Sequence, residues 1–313
     1  MSRESKERDL ARSLIVTAGG GPSTSERWSH RHRSVPRQVV DWIRTSGWKH
    51  AVLVLFGLIM IYPLFWMLTR SFITNTDIFN PDAEGGLTFE NYLTGWSALG
   101  IPFGRFLMNS MIVALACIVG NLISCTLAAY AFARLKFRLR GPMFAMMLAT
   151  IMLPFHVTIV PQYIIFNQLG WVNTYIPLIL PKFLAVEAFF VFLLVQFIRG
   201  LPTTLDDAAA LDGCGPFRTF WSVILPLCKP AIGVTAIFTF IWTWNDFFTP
   251  LLYINSPEKY TVPMGLNMFQ DSTGLSNYGA LFAMSILSLV PVFFVFLFAQ
   301  RTLVQGIATT GIK

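Results

Sequence analysis

The sequence predicts an all-α polytopic membrane protein with six transmembrane helices. Of its 313 residues, 54% are hydrophobic and only 12% are charged, whereas soluble domains carry about 25% charged residues. Mean hydropathy is +0.59, and 29 residues are Phe. A soluble core of this composition would leave too few polar side chains to cover its surface. Lipid is therefore the expected solvent for most of the chain.

The first 48 residues are predicted to form a basic, disordered cytoplasmic tail. Ten of the 23 Lys and Arg residues lie in residues 1–49, and residues 19–25 have the Gly, Pro and Ser content of flexible chain. Because the tail precedes membrane helices, retention on the cytoplasmic side is favoured over nucleic-acid binding. Its polar start predicts that there is no cleavable signal peptide.

Six apolar runs are long enough to cross the hydrocarbon core, which takes about 20 residues. They lie at roughly 50–70, 106–132, 142–166, 177–199, 230–254 and 279–300. With the N-terminus inside, 19 Lys and Arg residues fall on the inner side and four on the outer side. This asymmetry predicts that both termini are cytoplasmic.

Two spans carry packing signals. Small or polar residues recur at helical spacing in the second span, which favours close helix contact and a central place in a bundle. They are Ser110, Ala114, Cys117, Asn121, Ser124 and Ala128. Pro154 and Pro161 predict a kink in the third span.

Few ionisable residues lie within the spans. Glu187 and Asp246 can face either a polar pathway or the lipid headgroups, and the headgroup reading is favoured for Glu187. The four Cys residues form no C-x-x-C pair and have no His at ligand spacing, so no metal site is predicted. No catalytic cluster is found, and no chain of buried carboxylates or His supports a proton-coupled carrier.

The loop between the fourth and fifth spans is predicted to hold two short helices. Thr203 or Thr204 would cap the first helix, with Asp206 or Asp207 as the acidic half of a capping box. Gly213 would end that helix in a left-handed conformation, and Pro216 would begin the second.

An apolar face is predicted on the second of these helices, because Phe217, Phe220, Trp221 and Ile224 fall at i, i+3, i+4 and i+7. Such a face is expected to be buried. A small-residue helix that ends at a sharp Gly turn suits the groove of a partner protein. Composition alone leaves this reading about even with that of a plain connector between spans.

The loop resembles a known pattern. The run Asp207-Ala-Ala-x-x-Asp-Gly, followed by Ile224-Leu225-Pro226, is similar to the EAA loop of ABC importer permeases. Asp207 replaces the usual Glu and Cys214 the usual Ala. Other segments resemble the carbohydrate-uptake branch, in particular the maltose-permease G-type subunit: Asn109-Ser110, residues 129–134, Leu153-Pro154, Ile159-Val160-Pro161, Trp244-Asn245-x-Phe247 and residues 300–306.

The resemblance covers about residues 50–313 and implies an ABC type I importer permease fold. It implies a permease domain at 49–313, with a core at about 104–301 and the EAA loop at 200–229. It also implies that the EAA loop docks on a separate ATPase subunit. The implied coupling residues are Asp207, Ala208, Ala209, Asp212, Gly213 and Pro226, with Gln305 and Gly306 in the tail.

No G-x-x-x-x-G-K-[S/T] phosphate loop occurs in the chain. ATP hydrolysis is therefore expected on the ATPase dimer, and this chain is expected to be neither an enzyme nor the holder of a cofactor. The other implied partners are membrane lipid, a homologous second permease and a solute-binding protein that faces outer loops 71–105 and 255–279. The implied cargo is a carbohydrate, and the implied location is the bacterial cell membrane.

Trp242, Trp244 and Asn245 are candidates for the sugar path, because aromatic rings stack on sugar faces and amides bond hydroxyl groups. The alternative for the Trp residues is the interfacial aromatic belt. Two other classes of function are alternatives to an importer permease. A secondary carrier or channel would need buried coupling charges or inverted repeats. A membrane-embedded enzyme would need a catalytic cluster. The sequence shows none of these features.

Overall fold

The computed structural model describes residues 47–75, 77–78, 86–270 and 277–310, with the side chains of 301–310 left outside the description. The predicted tail lies outside the described residues up to position 46. Every regular element in the described part is helical, which confirms the all-α prediction. The chain divides into two units, Met1–Tyr62 and Pro63–Lys313.

Helix α1 (Trp48–Arg70) contributes the described part of the first unit and continues past its boundary. The second unit holds α2 (Glu90–Ser97), α3 (Phe103–Arg134), α4 (Arg140–Thr150), α5 (Phe155–Gln168), α6 (Ile176–Ile179), α7 (Ala188–Gly200), α8 (Thr204–Leu211), α9 (Pro216–Leu227), α10 (Lys229–Asn245), α11 (Phe248–Tyr253), α12 (Val262–Asn267) and α13 (Tyr278–Thr310). Short 3-10 turns occupy Leu180–Leu184 and Pro257–Lys259.

Four described segments are long and apolar enough to cross a membrane as single spans: Trp48–Arg70, Phe103–Arg134, Ile176–Gly200 and Tyr278–Gln300. Two further helix pairs meet the same test together, α4 with α5 and α9 with α10. If each of these helix pairs is counted as one span, the described part of the chain has the six spans that the sequence predicts.

The third predicted span is broken rather than kinked. Helices α4 and α5 meet at 99°. Pro154 has extended backbone angles (φ −61°, ψ 128°) and caps α5. Proline disfavours helical angles in the residue before it and lacks an N–H, so the chain restarts its helix here. Pro161 lies inside α5 without ending it.

The fifth predicted span, 230–254, is too long. Helix α10 ends at Asn245, because Asp246 takes extended backbone angles (φ −71°, ψ 113°). A separate short helix, α11, follows from Phe248. The break places Asp246 beyond the end of a helix.

Helix α3 lies at the centre of the second unit, as predicted, and packs against α7 and α10. Ser110, Ala114, Cys117 and Asn121 of the small-residue face are buried. The Asn121 amide donates to Thr239 Oγ1 on α10 over 2.8 Å. A hydrogen bond between apolar helices fixes their register, since neither group has water as an alternative partner.

Three apolar clusters follow one another along α3. The first joins Phe103 and Phe106 to Phe240 and Trp244 of α10. The second surrounds Cys117 with residues from α6 and α11. The third packs Tyr130 and its neighbours against α7 and α9, beside the EAA loop. The same helix therefore contacts both regions described next.

Candidate functional site: the EAA loop and a cavity

The EAA loop begins with α8, whose first turn carries Asp206 and Asp207. The predicted capping box is wrong. Thr203 already has near-helical angles (φ −69°, ψ −20°) and makes no side-chain cap. Its backbone carbonyl instead accepts from the Asp206 and Asp207 N–H groups at 2.9 and 3.2 Å. A residue with helical angles does not present its hydroxyl to the next turn as a capping residue does.

The turn after α8 agrees with the prediction for Gly213. This residue has φ +76°. Its N–H donates to the Ala210 carbonyl over 3.0 Å, and the Cys214 N–H donates to the Ala209 carbonyl over 2.9 Å. These two bonds form a complete Schellman motif, which satisfies the last carbonyls of the helix. Space around the missing Gly213 Cβ is open, so only the backbone angle demands glycine here.

Helix α9 begins at Pro216, as predicted, but its predicted apolar face is only partly buried within this chain. Phe220 and Ile224 are buried, whereas Phe217 is 72% and Trp221 62% exposed. A π-helical turn at Phe220–Ile224 is the reason. Its wider turn changes the angular spacing of side chains, so the four residues no longer share one face.

Two side chains of α3 hold the EAA loop. Arg134 Nε lies 3.1 Å from Asp206 Oδ2, and Arg134 Nη2 donates to the Leu201 carbonyl over 2.7 Å. Tyr130 Oη donates to the Pro216 carbonyl over 3.0 Å. These contacts fix the loop to α3 on both sides of the Gly213 turn.

The outer surface of the EAA loop exposes large apolar side chains beside charged ones. Leu211 is 90% exposed and lies between the exposed Asp207 and Gly213. Of the other predicted coupling residues, Ala208, Asp212 and Pro226 are exposed and Ala209 is buried. Gln305 and Gly306 lie in the last turns of α13, where the side chains are outside the described part of the structure.

A cavity of about 620 Å³ lies in the second unit. It is lined by α3, α4, α5, the fourth span, the end of α10 and α11. Hydroxyl and amide side chains contribute to its wall, among them Ser110, Thr150, Gln162, Thr243, Tyr253 and Thr261. A hollow of this size, with polar groups set among apolar walls, suits a small ligand that carries both polar and apolar surface.

The fourth span is interrupted where it lines the cavity. The 3-10 turn at Leu180–Leu184 is followed by Ala185 in a left-handed conformation (φ +53°), and α7 begins only at Ala188. Glu187 lies in this break and forms an ion pair with Lys182. Both residues line the cavity, which favours the polar-pathway alternative for Glu187. Interrupted helices are tolerated within membranes where they border a cavity.

The three path candidates are placed differently. Trp242 is 46% exposed and lines the cavity, with its ring 5.0 Å from that of Phe190. Trp244 is buried away from the cavity and donates from Nε1 to the Ser288 carbonyl over 3.2 Å. Asn245 is exposed and bonds the Ile241 carbonyl of its own helix. The cavity contains one of these three.

Asp246, which the sequence offered only as an undecided ionisable residue, lines the cavity beside Trp242. Its Oδ1 accepts from the Thr249 N–H over 3.1 Å. Tyr253 and Thr261 were not singled out from the sequence, and isolated hydroxyl residues give no periodic signal. Among the described residues, no group of three or more His, Cys, Asp or Glu could hold a metal ion.

Comparison with known proteins decides the family. The model of the family described as "Binding-protein-dependent transport system inner membrane component" matches residues 120–309. The chain belongs to this family. It is a multi-pass protein of the bacterial cell membrane, and the resemblance to ABC importer permeases stated from the sequence is confirmed.

Several curated relatives match over most of both chains. The diacetylchitobiose uptake system permease protein NgcG of Streptomyces coelicolor is 32% identical, covering 85% of this chain and 88% of that protein. The arabinooligosaccharides transport system permease protein AraQ of Halalkalibacterium halodurans is 31% identical, covering 88% and 97%. The sn-glycerol-3-phosphate transport system permease protein UgpE of Brucella abortus is 32% identical, covering 83% and 95%.

A solved structure confirms the fold. A chain from a bacterial ABC transporter involved in the import of the acidic polysaccharide alginate superposes with a TM-score of 0.70. It is 18% identical, and the match covers 86% of this chain and 98% of that one. The family's ABC permease fold is therefore the fold of this chain.

Proposed function

We propose that this chain is the permease subunit of a binding-protein-dependent ABC importer for a carbohydrate. It forms half of the translocation path beside a homologous permease, and it receives ATP-driven motion through the EAA loop. A solute-binding protein delivers the cargo on the outer side. Family membership and the sugar-related names of NgcG and AraQ support the cargo class.

The exposed surface of the EAA loop is the observation that carries the coupling proposal. Leu211, Phe217 and Trp221 present large apolar side chains to the surface, on a loop that Arg134 and Tyr130 fix to α3. Exposed apolar side chains clustered on one loop mark a protein contact. The occupant is an ATPase subunit, because an importer of this family needs ATP and the chain carries no phosphate loop.

Two continuous structures lead from the EAA loop to the cavity. Helix α10 follows α9 directly at Cys228 and ends beside Asp246, after 17 residues and about 25 Å. Helix α3 carries the loop anchors Tyr130 and Arg134 near one end, and contributes Ser110 to the cavity wall. Displacement of the loop by an ATPase would therefore move two walls of the cavity as rigid elements.

Substitution of one exposed leucine tests the docking surface. The variant Leu211→Glu adds a charge to the proposed contact but leaves the bundle unchanged, because that side chain is 90% exposed. We expect the tagged variant, isolated from native membranes, to lose most of its bound ATPase. Leu87→Glu is the matched control, since Leu87 is 81% exposed and lies outside the EAA loop.

Equal ATPase recovery from the wild type and Leu211→Glu would contradict docking through the EAA loop. Loss of ATPase from both leucine variants would show a general defect of assembly instead. A cargo assay is separate: uptake of labelled diacetylchitobiose and arabino-oligosaccharides by cells that make the importer should stop when this chain is deleted. Unchanged uptake of every neutral sugar tried would contradict the carbohydrate proposal.

A further inference from the structure

The charges of the cavity do not balance. Among the described residues that line it, Lys182 is the one cation, and Glu187 and Asp246 are the acids. Lys182 pairs with Glu187. The carboxylate of Asp246 is therefore the uncompensated charge of the wall, and the formal charge of the described lining is −1.

Asp246 keeps free capacity to accept hydrogen bonds. Thr249 N–H donates to its Oδ1 over 3.1 Å, whereas an ionised carboxylate offers about four acceptor sites. A ligand rich in hydroxyl groups supplies donors for the remaining sites. A phosphate or carboxylate supplies acceptors and negative charge instead, so it meets repulsion without a free cation to offset it.

Two hydroxyl groups of the wall also lack partners. Tyr253 Oη and Thr261 Oγ1 are buried, and neither has a hydrogen bond among the described residues. Both residues line the cavity. A buried hydroxyl without a partner is unfavourable, and a hydroxylated ligand is the group that would satisfy it.

Trp242 supplies an apolar face to the same wall. Its indole is held against Phe190 and Phe238, with ring centroids 5.0 and 6.0 Å away, and remains 46% exposed. An exposed indole offers a flat surface to the C–H face of a pyranose or furanose ring. The cavity wall thus combines the apolar ring of Trp242, the hydroxyl groups of Tyr253 and Thr261, and the uncompensated carboxylate of Asp246.

We infer that this cavity is a cargo-binding site that selects neutral polyhydroxylated ligands and rejects phosphorylated or carboxylated ones. The inference rests on the proposed import function and narrows its cargo. It separates the chain from the two similar proteins whose names give an anionic cargo, sn-glycerol 3-phosphate and alginate. Asp246 determines the selection, and Tyr253 and Thr261 bind the ligand's hydroxyl groups.

The charge of the cavity can be measured without ATP and without cargo. Thr150→Cys places a thiol in the cavity wall, since Thr150 is an exposed lining residue. In native membranes that hold the whole importer, its modification rate is measured with cationic trimethylammonium-ethyl and anionic sulfonatoethyl methanethiosulfonate. Peptide mass spectrometry separates this thiol from the half-exposed Cys214 of the EAA loop, which is an internal reference.

The cationic reagent should react faster at position 150. Adding Asp246→Asn should lower the cation-to-anion rate ratio there several-fold, because removal of a nearby negative charge slows the cationic reagent and speeds the anionic one. The ratio at Cys214 should not change. Lys182→Gln should shift the ratio at position 150 in the opposite direction, because it leaves Glu187 uncompensated.

A ratio at position 150 that favours the anionic reagent, or that does not respond to Asp246→Asn, would overturn the inference. Such a failure leaves ATPase association intact, so it differs from a failure of the proposed import function. Loss of ATPase from Leu211→Glu, in turn, does not alter this ratio.

Ligand protection tests the cargo class directly. The same thiol is treated with neutral N-ethylmaleimide in the presence of millimolar diacetylchitobiose, an arabino-oligosaccharide, sn-glycerol 3-phosphate or an alginate oligosaccharide. A neutral sugar should slow the reaction several-fold, and neither anion should. Protection by an anion, or by none of the four, would overturn the assignment.

Removal of the unpartnered Tyr253 hydroxyl gives a second readout. Tyr253→Phe should fold as the wild type does, because the hydroxyl has no partner among the described residues. It should nevertheless lose most of the sugar protection. Tyr163→Phe is the control, since its ring stacks on that of Tyr253 at 6.0 Å but does not line the cavity. Full protection in Tyr253→Phe would show that this hydroxyl does not bind the ligand.

Discussion

The EAA loop and the cavity adjoin opposite ends of α10 and are assembled in different ways. The loop is one continuous segment, residues 200–229, fixed to the bundle by Arg134 and Tyr130. The cavity gathers single side chains from segments as far apart in sequence as Ser110 and Thr261. The loop turns large apolar groups outward, whereas the cavity turns hydroxyl groups and an uncompensated carboxylate inward.

This contrast predicts that the two regions tolerate substitution differently. The EAA loop depends on a few backbone angles and two anchoring side chains. Substitutions there should therefore impair coupling to the ATPase without unfolding the chain. A cavity made from the walls of the bundle shares its residues with the core. Neighbouring positions there, such as Trp242 and Trp244, should respond in different ways, and the following variants test this difference.

Trp244→Ala should have the largest effect on stability. The side chain is buried against Phe240 and bonds the Ser288 carbonyl, and removal of a core Trp costs about 3–5 kcal/mol. Trp242→Ala should change stability far less, because its ring is partly exposed, while it should impair sugar protection in the cavity. Thermal unfolding in detergent compares the two. Equal destabilisation would contradict the assignment of one to the core and one to the cavity.

Arg134→Ala should have the next largest effect, about 2–3 kcal/mol, because the Leu201 carbonyl and the partly exposed Asp206 lose their charged partner. The EAA loop should lose its fixed position, and less ATPase should co-isolate. Arg138→Ala is the control, since Arg138 is exposed in the following loop. In a double-mutant cycle with Asp206→Ala, the two losses should not add. Full additivity would mean that the pair does not interact.

Gly213→Ala should cost about 1–2 kcal/mol, because a left-handed angle is unfavourable for a residue with a Cβ. Gly215→Ala is a close control: its surroundings are equally open, and its φ of −73° suits any residue. Transport should fall in the first variant and persist in the second. If both retain normal transport, the turn geometry does not matter for coupling.

Thr239→Val should have the smallest effect, about 1 kcal/mol, by removing the hydrogen bond from Asn121 between α3 and α10. Thr239→Ser keeps the hydroxyl and should retain most of the stability. Thermal unfolding of the two variants measures the difference. A loss of the same size in both would mean that packing, not the hydrogen bond, joins the helices.

Local sequence signals predicted most of the EAA loop. Gly213 and Pro216 mark a helix end and a helix start, because their backbone preferences act within a few residues. The anchors were not predicted: Asp206 rather than Asp207 meets Arg134, since the pairing depends on how α3 lies beside α8. The exposure of Phe217 and Trp221 was missed because periodicity assumes a regular helix and α9 contains a π-helical turn.

The cavity could be predicted only in part. Composition and hydropathy indicate spans, and small residues indicate the central α3, because both are properties of single segments. The ion pair of Glu187 with Lys182 was not predicted, because the break at Ala185 has no Gly or Pro at that position. Tyr253 and Thr261 carry no periodic pattern, and only the packing of distant segments brings them to one wall.

Coupling between the EAA loop and the cavity is the central claim, and one rate measures it. In native membranes, the thiol introduced by Thr150→Cys is treated with neutral N-ethylmaleimide, with and without ATP and vanadate. We predict that ATP with vanadate changes this rate several-fold in the otherwise wild-type chain and leaves it unchanged when Leu211→Glu is added. A response that persists with Leu211→Glu, or no response in the parent chain, would contradict the account.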